Sequence, residues 1–293
     1  MNNIKSKNPF VSIIIPVYKD WEKLEFCLEA LKNQSYPINN FEIIVVDNEG
    51  IDKIPDFIEH FENIRVLQET IPGSYAARNT GIKKAKGEII GFTDADCIPD
   101  QDWIKNAVKK LTINYTIDRL AGSIKLIFKN HKKKNMIELY EHVFAFNQEG
   151  AMDSSGASIT ANTFVRKPLF QKVGYFNENM KSGGDIEWGK RAHNKGSKIL
   201  YAPEAVVYHP ARDSWHSIIH KKMRVLGGHE FMNLHSRSSG LKKRWFSTIK
   251  KVIETKKLKT LVQRVKVILV MLVLKLVIYF ERIRLSLGGK SLR

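Results

Sequence analysis

The first hundred residues alternate between continuous apolar runs and segments whose apolar residues recur every three or four positions. Continuous β-branched runs predict strands that are covered on both faces, and the three-to-four spacing predicts amphipathic helices. The predicted strands are 10–18, 41–48, 64–68 and 88–94, and the predicted helices are 20–34, 54–61 and 74–86. Strands and helices that alternate at these lengths predict an α/β fold with a mostly parallel sheet and flanking helices.

The second half of the chain has a less regular pattern. We expect strands over 120–128 and 158–166, short strands in 197–210, a helix over 136–146, and a Gly-rich loop that enters a helix within 182–196. The most apolar segment is 260–285, and its uninterrupted core runs from Val267 to Leu274. Because this core is shorter than the roughly 20 residues that cross a bilayer, we expect a helix that lies in the membrane interface. A spanning helix or hairpin, and a helix buried in a core or against a partner, are the alternatives.

Unusual residues stand where the predicted strands end. The first strand ends at Pro16–Tyr18, the second at Asp47, and the fourth at Asp94 and Asp96. Ligands bind outside the carboxyl ends of strands in such sheets, so this pattern predicts one site at this edge. Residues i and i+2 of an extended segment face the same side. Asp94 and Asp96 can therefore reach one Mn²⁺ or Mg²⁺ ion, which takes oxygen ligands; a solvated acidic turn is the alternative.

The net charge of +18 is concentrated at one end of the chain. From Ile219 onward, 19 Lys and Arg stand against three acids, whereas the preceding residues are nearly balanced. Such a region favours an anionic membrane surface or another polyanion. The first ten residues lack a continuous apolar region, so we expect no secretory signal peptide. Two cysteines without metal-like spacing fit a reducing cytoplasm and no disulfide.

Four separate blocks carry a family resemblance: "VSIIIPVY", "IIVVDN", "GSYAARNTGIKKAKGEIIGFTDADC" and "SGGDIEWGKR". In their order and spacing they resemble the family 2 glycosyltransferases, which are inverting, nucleotide-sugar-dependent enzymes of the Rossmann-like GT-A fold. The resemblance covers about residues 10–210. Together with the charge pattern it predicts a polar segment at 1–9, a GT-A domain at 10–218 and a basic helical region at 219–293. Within the domain, 10–98 is the expected nucleotide-binding half and 99–218 the expected acceptor half.

The resemblance implies a donor site at the strand ends. Asp94 and Asp96 would bind the divalent cation, and Ala95 would contact the nucleotide sugar. Asp47 would accept a hydrogen bond from the base, typically uracil, although an Asx-turn is its alternative role. Arg78 opens a helix, where anions are favoured, and would contact the nucleotide; a surface arginine is the alternative. The base pocket would be lined by Pro16, Val17 and Tyr18.

The resemblance also implies the catalytic and acceptor residues. Asp185 would be the general base that deprotonates the acceptor hydroxyl, with Glu187 as the fallback. The family commonly has Glu before this Asp, and Gly184 replaces it here; a helix N-cap is the alternative role of Asp185. His209 completes the metal shell in some relatives and would otherwise be structural. The residues expected at the acceptor are Trp103, Asn162 and Trp188.

The sequence therefore predicts an inverting, metal-dependent glycosyltransferase. It would move a sugar from a nucleotide-diphosphate donor, a UDP-sugar, to a hydroxyl of a saccharide or lipid-linked acceptor. Its basic region would hold it at the cytoplasmic face of the cell membrane, in polysaccharide or glycolipid biosynthesis.

Three other functions are weighed against this prediction. A sugar-phosphate nucleotidyltransferase usually has a Gly-rich loop after the first strand, whereas "IPVYKDWEKL" has no glycine. A nucleic-acid or polyanion binder fits the sequence pI of about 9.7. However, the charge is confined to one region and the strands end in acids, so we expect no nucleic-acid partner. A dinucleotide oxidoreductase would need a G-x-G-x-x-G motif after a strand, which the chain lacks.

Overall fold

A computed structural model of the chain describes residues 8–50, 54–130, 132–231 and 241–289. Parts of the predicted 1–9 and 219–293 segments, namely 1–7, 232–240 and 290–293, therefore lie outside the described residues. The chain forms two compact units. Unit 1 comprises the described residues up to Lys125, Gln148–Asn179 and Gly184–His209. Unit 2 comprises Leu126–Asn147, Met180–Gly183 and the described residues from Pro210 onward.

Strands and helices alternate along the first half of unit 1. In chain order they are β1 (Val11–Val17), α1 (Trp21–Lys32), β2 (Phe41–Asp47), β3 (Ile64–Gln68), α2 (Ser74–Lys84), β4 (Ile89–Phe92), β5 (Ile98–Pro99), α3 (Trp103–Ile113) and β6 (Arg119–Ile127). After α4 (Met136–Phe144), which belongs to unit 2, come α5 (Gln148–Ser155), β7 (Thr163–Arg166), α6 (Pro168–Val173), α7 (Gly184–Asn194) and β8 (Ile199–Pro210).

The described strands form a sheet in the order β3-β2-β1-β4-β7-β6-β8-β5. β1 is parallel to β2 and β4, and β2 is parallel to β3. β7 is antiparallel to β4 and β6, and β5 is antiparallel to β8. Val17 and Asp47 are register partners, so the ends of β1 and β2 lie side by side. The parallel block predicted from the first hundred residues is confirmed, and each antiparallel pair includes β7 or β8 from the second half.

The core of unit 1 explains why the first two strands read as continuous apolar runs. Every residue of β2 is buried, and so are Ile13 and Ile15 of β1. Leu24 and Leu28 of α1 belong to the same apolar cluster. Burying such a side chain fully contributes about 1.5–3 kcal/mol, so these strands hold their places through packing on both faces.

Some predicted elements differ from the structure. The predicted helix 54–61 is a short 3₁₀ helix, Asp56–His60, and the predicted strand 158–166 is a 3₁₀ turn, Thr160–Asn162, followed by β7. The predicted short strands in 197–210 are one strand, β8. Helices α3, α5 and α6 lie in segments for which the apolar spacing predicted no element. Both cysteines are buried and free.

Unit 2 is helical, with α4, α8 (Trp215–Phe231), α9 (Leu241–Glu254) and α10 (Leu261–Ser286). The helix α8 begins before Ile219, where the basic region was predicted to start. Apolar residues of α4, α8 and α10 share one core, which includes Ile137, Ile218 and Leu274. Within the described ranges, no helix combines the length and the apolar character needed to cross a membrane.

Candidate active site

The carboxylate of Asp47 lies at the end of β2 and is almost completely buried. Its Oδ1 accepts a hydrogen bond from the backbone N–H of Glu49 at 2.8 Å, and its Oδ2 accepts one from that of Gly50 at 3.1 Å. This is the turn that the sequence left open as an alternative role. Both carboxylate oxygens of Asp47 thus hold the loop that follows β2.

The three residues at the end of β1 are exposed to different degrees. The Tyr18 ring is 40% exposed, and the Lys19 ammonium lies 5.4 Å from its centroid. Pro16 is partly buried, and the side chain of Val17 is buried in the core. Of these three residues, Tyr18 therefore has the most exposed side chain, and Val17 could contact a ligand only through its backbone.

Arg78 and Asp94 form an ion pair through Nη2 and Oδ1. The arginine side chain is buried, whereas a third of the Asp94 side chain is exposed. The guanidinium carbon of Arg78 also lies 5.7 Å from the centroid of the Tyr75 ring. Arg78 is therefore not the surface arginine that the sequence left open, and it fixes the orientation of Asp94. Ala95, between the two aspartates, is buried.

Asp96, two residues after Asp94, lies beside His209. The Oδ1 of Asp96 is 3.5 Å from Nε2 of His209, and the Cys97 sulfur is near both; the three donor atoms lie within 4.8 Å of one another. Burial, followed by the charges of Asp94 and Asp96, raises the pKa of the Cys97 thiol well above its ordinary value. Sulfur is a soft ligand that Mn²⁺ and Mg²⁺ do not favour, so the donors that fit these ions are the carboxylate of Asp96 and the imidazole of His209. Those ligands suit Mn²⁺.

Asp185 stands in the first turn of α7. Its Oδ1 accepts hydrogen bonds from the Tyr75 hydroxyl at 3.2 Å and from the Ile186 N–H at 2.9 Å. Its Oδ2 accepts one from the Thr160 N–H at 3.4 Å. Burial raises the pKa of Asp185, and the positive charge of Arg78 opposes part of that rise. A carboxylate with a raised pKa is better suited to accept a proton.

Glu187 is held in an ion pair with Arg191, one turn further along α7. The Nε of Arg191 lies 2.6 Å from Oε1 of Glu187, and the Nη2 lies 3.0 Å from Oε2. Arg191 also donates to the backbone oxygens of Val173 and Tyr175. Both carboxylate oxygens of Glu187 are thus engaged, so the geometry favours Asp185 over this fallback base.

A family model described as "Glycosyl transferase family 2" matches residues 12–174. The chain is also 35% identical over 223 residues to "Glycosyltransferase AglE" of Haloferax volcanii, an alignment that covers 74% of this chain and 72% of that protein. The chain belongs to glycosyl transferase family 2.

Two further proteins are similar to the chain, one in sequence and one in structure. One relative, 29% identical over 220 residues (70% of this chain and 68% of the relative), is the "Dolichyl N-acetyl-alpha-D-glucosaminyl phosphate 3-beta-D-2,3-diacetamido-2,3-dideoxy-beta-D-glucuronosyltransferase" of Methanococcus voltae. One solved structure is mannosyltransferase PcManGT from Pyrobaculum calidifontis in complex with GDP-Man and Mn²⁺. It has a TM-score of 0.64 at 17% identity and covers 95% of this chain and 87% of that one. This likeness confirms the predicted GT-A fold.

The three residues predicted at the acceptor of this family 2 enzyme lie inside unit 1. The indole of Trp103 is fully buried and donates to Oδ1 of Asn162 at 2.8 Å. The Nδ2 of Asn162 donates to the backbone oxygens of Ser123 and Ala205. Trp188 is buried and stacks on Phe170 at 4.9 Å. None of the three exposes a side-chain surface to a sugar, because the two indole rings are buried and the Asn162 amide is engaged in buried hydrogen bonds.

Two residues of the site were not identified from the sequence. Tyr75 donates to Asp185, and Thr160 contributes a backbone N–H to the same carboxylate. The position of Tyr75 three residues before Arg78 was the available signal, because residues at i and i+3 share a helix face. Thr160 carried no comparable signal, since its contribution comes from the backbone.

Proposed function

We propose that the chain transfers a sugar from a nucleotide-diphosphate donor, a UDP-sugar, to a hydroxyl of its acceptor, with inversion at the anomeric carbon. The observation that carries this proposal is the series of paired groups in unit 1: Asp96 with His209, Asp94 with Arg78, and Asp185 with Tyr75. The first pair would bind a divalent metal ion. The second holds the Asp94 carboxylate beside the buried guanidinium of Arg78. The third contains a carboxylate with a raised pKa, that of Asp185. A single displacement needs these groups and no covalent nucleophile.

The donor would be held by the two aspartates in different roles. Asp96 and His209 would bind the cation, Mn²⁺ or Mg²⁺, and the imidazole favours Mn²⁺. When bound, the ion neutralises charge on the departing nucleoside diphosphate. Asp94, whose orientation Arg78 fixes, would accept a hydrogen bond from the sugar or add a further oxygen ligand. Tyr18 and Asp47 would hold the base, with Asp47 accepting from the ring N–H of uracil.

Asp185 would act on the acceptor. Its Oδ1 is occupied by Tyr75 and Ile186, whereas its Oδ2 has only the long hydrogen bond from Thr160 among the described residues. We therefore assign Oδ2 as the atom that takes the proton from the acceptor hydroxyl. As that proton leaves, the acceptor oxygen bonds to the anomeric carbon and the bond from this carbon to the diphosphate oxygen breaks. One displacement on the opposite face inverts the configuration.

The proposed acceptor is a saccharide or lipid-linked sugar in cell-surface polysaccharide or glycolipid biosynthesis, at the inner face of the cell membrane. The name of the Methanococcus relative describes a dolichyl phosphate-linked acceptor for that protein. The cluster of positive charge from Ile219 onward supports the same location, because anionic lipids attract such segments.

A donor screen tests this proposal. The full chain would be incubated with UDP- and GDP-sugars, with Mn²⁺, Mg²⁺ or chelator, and thermal stabilisation and nucleotide release would be measured. We expect stabilisation and slow release of UDP from one UDP-sugar, dependent on the divalent ion. NMR of a transfer product should show the anomeric configuration opposite to that of the donor. Release of pyrophosphate would instead identify a nucleotidyltransferase, and a retained configuration would contradict the displacement.

A further inference from the structure

The helix α10 has two apolar faces on opposite sides. One face packs in the core of unit 2 through Val267, Val270, Met271 and Leu274, together with residues of α4 and α8. The burial of this face accounts for the position of α10 in unit 2. It leaves the apolar residues on the other side of the helix without a role in the core.

The second face is a stripe of exposed large apolar side chains. Its members are spaced three and four residues apart, which places them on one side of a helix of 3.6 residues per turn. They are Val262, Val265, Leu269, Leu272, Val273, Leu276, Tyr279, Phe280 and Ile283. At about 1.5 Å per residue the stripe is about 30 Å long. We call these nine residues the outer stripe. A continuous exposed stripe of this size marks a binding surface.

Cationic side chains border the outer stripe on both edges. Successive residues turn by about 100° around a helix, so Lys266 lies at one edge and Lys275 and Arg282 at the other; all three are exposed. The one acid of α10, Glu281, is buried and paired with Arg284 at 2.6 Å. The outer stripe is therefore apolar in the middle and positive at its edges, without an exposed acid.

We propose that the outer stripe binds an anionic lipid bilayer, with α10 lying in the headgroup region and its lysines and Arg282 reaching lipid phosphates. This inference rests on the proposed location at the membrane and names the surface that makes the contact. Long basic side chains at the edge of an apolar face reach headgroups while their stems cover acyl chains. A second copy of the chain is a poorer occupant, because stripe-to-stripe pairing would bring the positive edges together. Lipid phosphates complement those edges.

Vesicle flotation of the full chain tests the inference. We expect binding to vesicles of phosphatidylglycerol and phosphatidylcholine, weak binding to phosphatidylcholine alone, and release at high salt. Leu272→Glu with Leu276→Glu should lower the bound fraction at least tenfold. Lys266→Gln with Lys275→Gln should weaken binding to the anionic vesicles by about fivefold per cation. The matched control is Phe26→Glu on α1, an apolar residue of unit 1 that is more exposed than Leu272 and Leu276; this variant should bind like the wild type.

The alternatives give different results. Flotation of the Leu272→Glu, Leu276→Glu variant at the wild-type level would overturn the inference, and so would equal binding to neutral vesicles. A dimer in light scattering that this variant converts to monomers would identify a second copy as the occupant and would also overturn it. Release of UDP from the donor in the absence of vesicles should be unchanged in the variant. The proposed transferase activity and the lipid surface therefore fail independently.

A separate observation concerns Gly184, the residue before Asp185 in α7. A Cβ built on Gly184 would lie 2.8 Å from two ring carbons of Tyr75. The Tyr75 ring is buried, packs on Phe176 at 5.7 Å, and directs its hydroxyl to Oδ1 of Asp185. The ring thus occupies the space that a side chain at position 184 would need.

We infer that Tyr75 is the positioning residue for Asp185, with its ring filling the space beside Gly184. The inference rests on the proposed role of Asp185. The hydroxyl fixes Oδ1 from α2, which directs Oδ2 toward the acceptor. A hydrogen bond donated to a carboxylate also favours its ionised form. It therefore works together with the positive charge of Arg78, and against burial, on the pKa of Asp185.

The test is the pH profile of Tyr75→Phe, which keeps the ring and removes the hydroxyl. Loss of a hydrogen bond to the ionised form raises the pKa of Asp185, so the acidic limb of kcat/KM should move to higher pH. A hydrogen bond to a charged group contributes about 1.5–3 kcal/mol, so kcat near neutral pH should fall about 10- to 100-fold, with KM for the donor unchanged. The matched control is Tyr36→Phe, since the Tyr36 hydroxyl donates to the Pro9 oxygen. It should lose stability but keep the wild-type profile.

An unshifted profile in Tyr75→Phe would overturn the inference, and so would a pH-independent loss that follows thermal stability as in Tyr36→Phe. Full activity of Asp185→Asn would instead remove the base assignment. The two failures are therefore distinguishable.

Discussion

Replacing Asp96 by Asn should reduce Mn²⁺-dependent transfer by at least about a hundredfold while the fold is retained. The variant keeps the shape of the side chain but removes the charge that would hold the proposed cation beside His209. Stabilising charge on the departing diphosphate is worth several kcal/mol in the transition state, and each 1.36 kcal/mol is a factor of ten in rate. The measurement is the initial rate of UDP release and transfer over a range of Mn²⁺ concentrations.

The matched control for that variant is Asp102→Asn. Asp102 is an exposed acid near the same loop, where it pairs with Lys105 at 3.2 Å. Its replacement should leave the rate within about twofold, since exposed ion pairs contribute little. Equal rates for Asp96→Asn and Asp102→Asn would contradict the assignment of Asp96 as the cation ligand.

Replacing Asp185 by Asn should lower kcat by about 10²- to 10⁴-fold, the usual contribution of a general base. The amide oxygen can still accept the hydrogen bonds from Tyr75 and Ile186, so the start of α7 should be preserved. The KM for the donor should change little, because the proposed donor contacts come from other residues. Steady-state kinetics with saturating acceptor, together with thermal unfolding, measures both expectations.

Glu187→Gln is the comparison that decides between the two acids of α7. It should weaken the ion pair with Arg191, lower stability, and leave kcat within a few fold. Near-normal turnover in Asp185→Asn combined with a large loss in Glu187→Gln would transfer the role of base to Glu187.

The strands β1 and β2 of unit 1 could be predicted because a strand that is buried on both faces needs a continuous apolar sequence. β1 and β2 are continuous β-branched runs, and in the structure they lie at the predicted places with ends shifted by at most one residue. The helix α5, Gln148–Ser155, has few apolar residues and gave no such pattern. The short strand β5 exists through its pairing with β8, a contact between distant segments that local periodicity does not contain.

The sequence indicated which side chains lie at the strand ends, but it did not indicate which of them contact each other. Placing aspartates at strand ends followed from the rule for α/β sheets. The sequence did not indicate that Arg78 would take Asp94 as its partner, leaving Asp96 to His209. Trp103 was expected at the acceptor because an indole can stack on a sugar, yet its N–H pairs with Asn162 inside the core. Such pairings depend on tertiary distances, which spacing along the chain does not determine.

The proposed cation site at Asp96 and His209, where the ion would help to hold the nucleotide, is the feature on which the proposed function most depends. It is tested most directly by titrating Mn²⁺ into the full chain with and without UDP, followed by the EPR signal of free Mn²⁺. We expect Mn²⁺ binding that UDP strengthens in the wild type and that is lost in Asp96→Asn and greatly weakened in His209→Ala. Equal UDP-linked Mn²⁺ binding by the wild type and both variants would contradict the account.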